Sequence, residues 1–231
     1  MSPRSLSVMA TLIPIGLTAA DSFTAERERM VHEQIQARGV RNPDVLRVMA
    51  VTPRHLFVPA DLQREAYQDR PLGIGYAATI SQPYIVALMT ELLRPGGRQR
   101  VLEVGTGSGY QAAVLAQLTG HVYTIEIVPE LADSARETLR RLGYGNVTVR
   151  QGDGYLGWPE QAPFDRIILT AAPPEIPEAL IAQLAKGGRM VAPVGGWLTQ
   201  NLVLIEKRLD GSIRRWTEGG VSFVPMRPGK D

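Results

Sequence analysis

Residues 101–109 read VLEVGTGSG and residues 110–118 continue as YQAAVLAQL, and the join between them decides the fold. Val101, Leu102 and Val104 form a short apolar run, as in a buried strand. Gly105, Gly107 and Gly109 then alternate through a tight turn, and a helical stretch follows at once. Glycine has no Cβ and tolerates positive φ, so such a turn lets the backbone approach a ligand closely at a helix start. The next strand, VYTIEI, carries Glu126, 21 residues past Gly105. An acid at about that distance is placed to hold a ribose diol in nucleotide-binding α/β folds.

Outward from this join, strands and helices alternate. Strand 100–104 leads to helix 110–119, and strand 122–127 to helix 130–142, where Leu131, Ala135, Leu139 and Leu142 mark one face and Gly143 the stop. Strand 147–151 precedes the turn Gly152-Asp153-Gly154, and strand 165–170 precedes helix 177–185. Gly187-Gly188 turns into strand 189–194. Strands 201–208 and 212–218 flank Asp210-Gly211, a hairpin signal, and a last short strand covers 221–225. The pattern predicts an α/β fold with a doubly wound, mostly parallel sheet and an antiparallel C-terminal hairpin. Ligands in such sheets sit at the carboxyl ends of the strands, so the loops after 104, 127, 151 and 170 are expected to carry the chemistry.

Ahead of this core, residues 24–38 predict an amphipathic helix with Met30, Val31 and Ile35 inward and Gly39 as its stop. Asn42-Pro43 starts a second helix, with Asn as N-cap and Pro at the first position, and Pro53 ends it. Residues 55–75 read as loop with short elements, and YIVALMTELL after Pro83 as a buried helix ended by Pro95-Gly96-Gly97. The expected organisation is an extension over 1–23 and one domain over 24–231, with 24–99 on the substrate side and 100–231 binding the cofactor.

Composition narrows the class. The chain of 231 residues is 44% hydrophobic, enough for one sizeable core. A formal charge of +2 with no polybasic run gives no reason to expect nucleic acid as a partner. Cysteine is absent, which removes disulfides, Cys–metal sites and thiol catalysis, and His32, His55 and His121 show no ligand spacing, so no metal is expected. At the N-terminus Arg4 precedes an apolar stretch from Val8 to Ala20, interrupted by Pro14 and Gly16 and too short to span a bilayer, so no stable membrane association is expected. Thr18-Ala19-Ala20 has the small residues of a cleavage site. The stretch reads either as an export signal, which would place the protein in the periplasm, or as an extension ahead of a start at Met30.

The glycine spacing separates cofactors. A dinucleotide fingerprint is G-x-G-x-x-G, whereas here the third glycine comes one residue early and position 110 is Tyr, which disfavours a nicotinamide oxidoreductase. G-x-G-x-G after a strand carrying Glu103 resembles motif I of the class I S-adenosylmethionine-dependent methyltransferases. Glu126 is then expected on the ribose hydroxyls. Asp153, between two glycines past a strand end, is placed to meet an adenine amino group. By composition alone the segment 75–83 is only a polar turn leading into the helix from Pro83.

PRHLFVP (53–59), ATISQP (78–83), VLEVGTGSGYQAAVLA (101–116), GDG (152–154), FDRIILTAAPPEIPEALIAQLAKGGRMVAPVG (164–195) and VSFVP (221–225) together resemble the protein-L-isoaspartate O-methyltransferase family over roughly 26–226. The glycine loop is shared by many methyltransferases; ATISQP and VSFVP are far more specific. The resemblance implies S-adenosyl-L-methionine as cofactor, S-adenosyl-L-homocysteine as product, and isoaspartyl proteins and peptides as substrates. Their α-carboxylate would be methylated so that a succinimide can form and reopen to aspartate. It implies Ser81 as the active-site serine. Ala78, Thr79, Ile80, Glu103, Gly105, Thr106, Gly107, Ser108, Gly109, Glu126, Asp153 and Gly154 are implied at the cofactor, and Ile80, Val221, Phe223 and Val224 at the substrate. Val86 stands where some relatives have His, and the tail after Pro225 departs from the pattern. The family further implies a cytoplasmic monomer.

The implied chemistry matches the residues. A carboxylate is ionised at neutral pH and needs no general base. Joining an anion to a sulfonium removes both charges, so alignment of the reacting atoms and exclusion of water are expected to supply the rate. Two other functions compete: a methyltransferase for a small molecule or RNA, against which ATISQP argues, and a non-catalytic module that binds the cofactor or damaged protein.

Overall fold

The computed structural model describes residues 22–196 and 198–229, so the expected export signal lies outside the described residues. Helix α1 (Thr24–Arg29) continues through a π-helical turn (Met30–Ile35) and a 3-10 turn (Gln36–Arg38) to Gly39, whose φ of +101° ends it. The predicted helix 24–38 is therefore present, with three hydrogen-bonding patterns along it. Helix α2 (Pro43–Val51) begins as expected: Asn42 Oδ1 accepts from the amides of Asp44 and Val45, at 2.9 and 3.2 Å. Two 3-10 turns follow (Arg54–Phe57 and Ala60–Glu65).

The structure then departs from expectation. Strands β1 (Leu72–Gly75) and β2 (Ala78–Ile80) pair antiparallel, Leu72 opposite Ile80, where the sequence reads as a loop and a polar turn. The turn between them places Tyr76 and Ala77 at φ +54° and +55°. Tight hairpins of this hand normally signal themselves with Asn-Gly or Gly-Gly, and Tyr-Ala carries no such signal. Helix α3 (Pro83–Leu93) follows and buries Val86, Ala87, Met89, Thr90 and Leu93.

The remaining elements are β3 (Arg100–Val104), α4 (Tyr110–Ala116), β4 (His121–Glu126), α5 (Pro129–Arg141), β5 (Val147–Gln151), β6 (Phe164–Leu169), α6 (Glu178–Gln183), β7 (Leu184–Gly195), β8 (Gln200–Lys207) and β9 (Ile213–Val221). The seven later strands form one sheet in the order β5-β4-β3-β6-β7-β8-β9. The pairs among β5, β4, β3, β6 and β7 are parallel, and β7-β8-β9 run antiparallel. This is the predicted doubly wound sheet with its C-terminal hairpin. The chain winds outward from β3 to β5 and returns to β6 on the other side of β3. The crevice at the carboxyl end of β3 is thus the switch point where such sheets bind ligands.

Three boundaries differ from the sequence reading. Helix α4 stops at Ala116, short of the predicted 119. Strand β7 starts at Leu184 and runs through Gly187-Gly188 as an irregularity in its register with β6, so those glycines bend a strand and do not precede one. Strand β9 continues to Val221, and no separate strand 221–225 forms; Pro225 makes a single parallel bridge to Ala172. The amide of Gln200 takes the place of a partner strand: Oε1 accepts from the Phe223 N–H at 2.7 Å and Nε2 donates to the Phe223 carbonyl at 3.0 Å.

Alternate strand residues feed two cores. Val101, Ile168 and Val191 pack on one face with Met30, Val86, Leu93 and Tyr110, so the N-terminal helices share a core with the sheet. Leu102, Val104, Leu169 and Met190 pack on the other face with Phe164 and Leu180. Among the described residues, no helix is long and apolar enough to cross a membrane.

Candidate active site

A cavity of about 460 Å³ opens at the carboxyl ends of β3, β4 and β6. The turn after β3 builds its floor. The amides of Gly105 and Thr106 both donate to the Ile125 carbonyl, at 2.8 and 3.2 Å, which folds the loop across the end of β4. Gly105 has φ +101°, and a Cβ there would sit 2.4 Å from Thr170 Oγ1. Both conformation and space therefore demand glycine at this position. The Glu126 carboxylate, 6% exposed, is clamped at the cavity wall: Oε2 accepts from the Gly107 amide at 2.7 Å and Oε1 from the Val128 amide at 3.0 Å.

Most of the predicted site residues converge on this cavity. Ala78, Thr79, Ile80 and Ser81 form one wall, Gly105, Thr106, Gly107, Ser108 and Glu126 the floor, and Gly154 and Val224 the far side. Three of those expected at the cofactor do not reach it. Gly109 lies at the start of α4 against Leu139. Asp153 caps a turn, Oδ1 accepting from the Tyr155 amide at 2.8 Å and Oδ2 from the Gly229 amide at 2.7 Å, so its carboxylate ties down the tail. Glu103 is completely buried below the loop, its Oε2 accepting from Thr124 Oγ1 at 2.6 Å. Burial, with the field of Glu126 adding to it, pushes the Glu103 carboxyl up to about 8.

Other lining residues went unnoticed in the sequence. Tyr76 and Ala77 come from the hidden hairpin turn. Thr170 closes the end of β6 and donates to the Val104 carbonyl at 3.1 Å; its loop was one of those expected to matter. Met226 and Arg227 come from the tail, for which the sequence offers no signal. Met226 is buried with its amide donating to Ala172 at 2.8 Å, and Arg227 donates to the Tyr76 carbonyl at 3.0 Å. The tail thus spans from the hairpin turn to the Asp153 turn.

A second cavity of about 680 Å³ abuts the first. Thr79, Ser81, Thr170 and Val224 line both, so they form the partition. Val221 and Phe223, predicted on the substrate side, line the second cavity only, whereas Ile80 lines the first. Ser81 lines both cavities, and its hydroxyl has no hydrogen-bond partner among the described residues. Charged side chains at the second cavity are Arg38, paired with Asp69 at 3.0 Å, and Glu218. Neither cavity is lined by His or Lys among the described residues, and no group of three potential metal ligands occurs among them.

Comparison with known proteins agrees with this geometry. The family model "Protein-L-isoaspartate(D-aspartate) O-methyltransferase" matches residues 25–231. Proteins named protein-L-isoaspartate O-methyltransferase from Synechococcus sp. and Methanoculleus marisnigri are similar. The first is 51% identical, covering 97% of this chain and 95% of the relative. The second is 55% identical, covering 90% and 94%. Among solved structures, a protein-L-isoaspartate O-methyltransferase superposes with a TM-score of 0.77 at 30% identity, over 86% of this chain and 65% of that one. A Plasmodium falciparum beta-aspartate methyltransferase, solved with S-adenosyl-L-homocysteine, superposes with a TM-score of 0.75 at 26% identity, over 87% and 98%. With a family match across nearly all of the folded chain, and relatives this similar at full length, the chain belongs to the protein-L-isoaspartate(D-aspartate) O-methyltransferase family.

Proposed function

We propose that the protein moves a methyl group from S-adenosyl-L-methionine to the α-carboxylate of L-isoaspartyl residues in damaged proteins and peptides. The observation that carries this is the partition: two adjoining cavities share a wall that holds Ser81, and we read the first as the nucleoside site and the second as the peptide site. The first cavity has the volume of a small-molecule site. Bound there, the cofactor supplies an electrophilic methyl group on a sulfonium.

The chain's own residues do the rest. Each Glu126 oxygen accepts one backbone N–H and keeps a lone pair for a ribose hydroxyl. Gly105, Gly107 and Gly154 line the space for the nucleoside, and Ala78, Thr79 and Ile80 cover it. Gly109 and Glu103 act on the loop from behind. Asp153 acts by holding the tail against the adenine side. Ser81 orients the substrate carboxylate, while Ile80, Val221, Phe223 and Val224 displace water around it. Because the carboxylate arrives ionised, no group has to remove a proton.

The deciding experiment supplies labelled cofactor to the purified protein with an isoaspartyl peptide and its aspartyl twin. Base-labile label on the isoaspartyl peptide alone supports the function; label on RNA or a small molecule and none on either peptide refutes it. We further read residues 24–231 as one domain of a cytoplasmic monomer without nucleic-acid partners, since the cofactor is made in the cytosol. N-terminal sequencing of the mature protein from its host would overturn that location if the chain began just after Ala20.

A further inference from the structure

Glu103 is the one carboxylate in the described chain with no exposed surface, and the mechanism above gives it no contact with a ligand. Its Oε2 accepts from Thr124 Oγ1 at 2.6 Å, and Thr124 Oγ1 lies 2.6 Å from Thr106 Oγ1. Thr106 belongs to the glycine loop and lines the cofactor cavity. The other carboxyl oxygen, Oε1, is buried and has no hydrogen-bond partner among the described residues.

The groups around it decide its charge. On β4, Thr124 lies opposite in register and Glu126 lies two residues beyond. On β6 the opposite residue is Ile168, which is apolar. The field of Glu126 acts on Glu103 and adds to the effect of burial in raising its carboxyl. An anion here would bury an unpaired oxygen next to a like charge with no cation to balance it. The neutral acid avoids both costs.

We propose that Glu103 is a positioning residue that works as an uncharged carboxylic acid, anchoring the cofactor loop through the hydroxyl chain Glu103–Thr124–Thr106. This rests on reading the 460 Å³ cavity as the cofactor site. A neutral carboxyl can both accept from and donate to Thr124, so the chain can run in either direction. An anion only accepts, which forces both hydroxyls to point toward it. Ionisation would also set a second negative charge behind the wall that holds Glu126, and the loop would loosen.

The test combines a direct and a functional measurement. In wild-type protein carrying isotopically labelled glutamate, the Glu103 carboxyl resonance, assigned by its loss in Glu103→Gln, should report a neutral acid at about pH 6 and titrate near the value of about 8. Affinity for S-adenosyl-L-homocysteine should stay level up to about pH 7, then fall several-fold as Glu103 ionises. Glu103→Gln, which keeps both an acceptor and a donor, should bind within about threefold of wild type and lose that pH dependence, while Glu103→Ala should bind at least about tenfold more weakly. A resonance already ionised at about pH 6, or a Gln variant as weak as the Ala variant, would overturn the proposal. The resonance and the binding profile are read without any peptide, so failure to methylate isoaspartyl peptides would refute the proposed function alone.

Discussion

Gly105→Ala, measured with and without Thr170→Ala, asks how much the cofactor loop depends on a missing side chain. The new methyl would have to adopt φ +101°, which costs an L-residue about 1–2 kcal/mol. Its Cβ would also fall 2.4 Å from Thr170 Oγ1, so the hydroxyl must move. That hydroxyl shares its single proton between the carbonyls of Val104 and Gly105, an interaction worth about 1 kcal/mol net. The single variant should therefore lose about 2–3 kcal/mol of stability, and Thr170→Ala alone about 1 kcal/mol. In the double variant the clash is gone and that shared hydrogen bond is already lost. Adding Gly105→Ala should then cost only its backbone strain, about 1–2 kcal/mol, leaving a coupling of about 1 kcal/mol. Urea unfolding of the four proteins, compared by midpoint at constant slope, measures this directly. The same variant should bind S-adenosyl-L-homocysteine at least about tenfold more weakly, because the displaced loop forms the cavity floor. Additive costs, or a loss below about 1 kcal/mol for Gly105→Ala, would refute the steric account of the turn.

Three other outcomes are expected. Ser81→Ala should cut turnover by more than about tenfold while cofactor affinity stays nearly unchanged; wild-type turnover would remove Ser81 from the mechanism. The Glu103 carboxyl rises from its ordinary value of 4.5 to about 8 on folding, so the folded protein holds the extra proton between these values. Its stabilising contribution is full below about 4.5 and is lost as pH climbs to about 8, at up to about 1.4 kcal/mol per pH unit; Glu103→Gln should abolish that slope, and a slope shared by both proteins would exclude this residue as its source. Arg227→Ala removes the bond from the tail to the Tyr76 carbonyl, and a chain ending at Pro225 also removes buried Met226. Dissociation of S-adenosyl-L-homocysteine should quicken in the first and quicken further in the second, and equal rates in all three proteins would show that the tail holds nothing in place.

The core of the fold was legible because its signals are local. Apolar runs of strand length, Gly143 after a helical face and Asp210-Gly211 between two strands act over a few residues, and β3 to β6, α5 and the β8-β9 hairpin lie close to where these signals put them. The β1-β2 hairpin was not legible. Its turn holds Tyr76 and Ala77 at positive φ, a conformation with no trace in their side chains, and surrounding structure must impose it. Likewise the extended run from Ser222 to Pro225 takes its hydrogen bonds from the Gln200 side chain and the Ala172 amide, partners that only the folded sheet brings near.

The same division runs through the site. Spacing along the chain was enough to name Gly105 and Glu126, because a strand, a turn and the next strand stand at distances set by backbone geometry, whereas Ser81 came only from the resemblance of ATISQP to the family. Residue order also carried the family and the class of cofactor. It could not say that Asp153 spends its carboxylate on the Gly229 amide, that Glu103 lies sealed beneath the loop, or that Met226 and Arg227 wall the cavity. Those facts depend on which side of the sheet a group faces and on what arrives from 76 residues away in the case of Gly229 and Asp153, or 151 in the case of Arg227 and Tyr76. Burial and long-range hydrogen bonding are properties of the packed chain, and they assign each polar group its work.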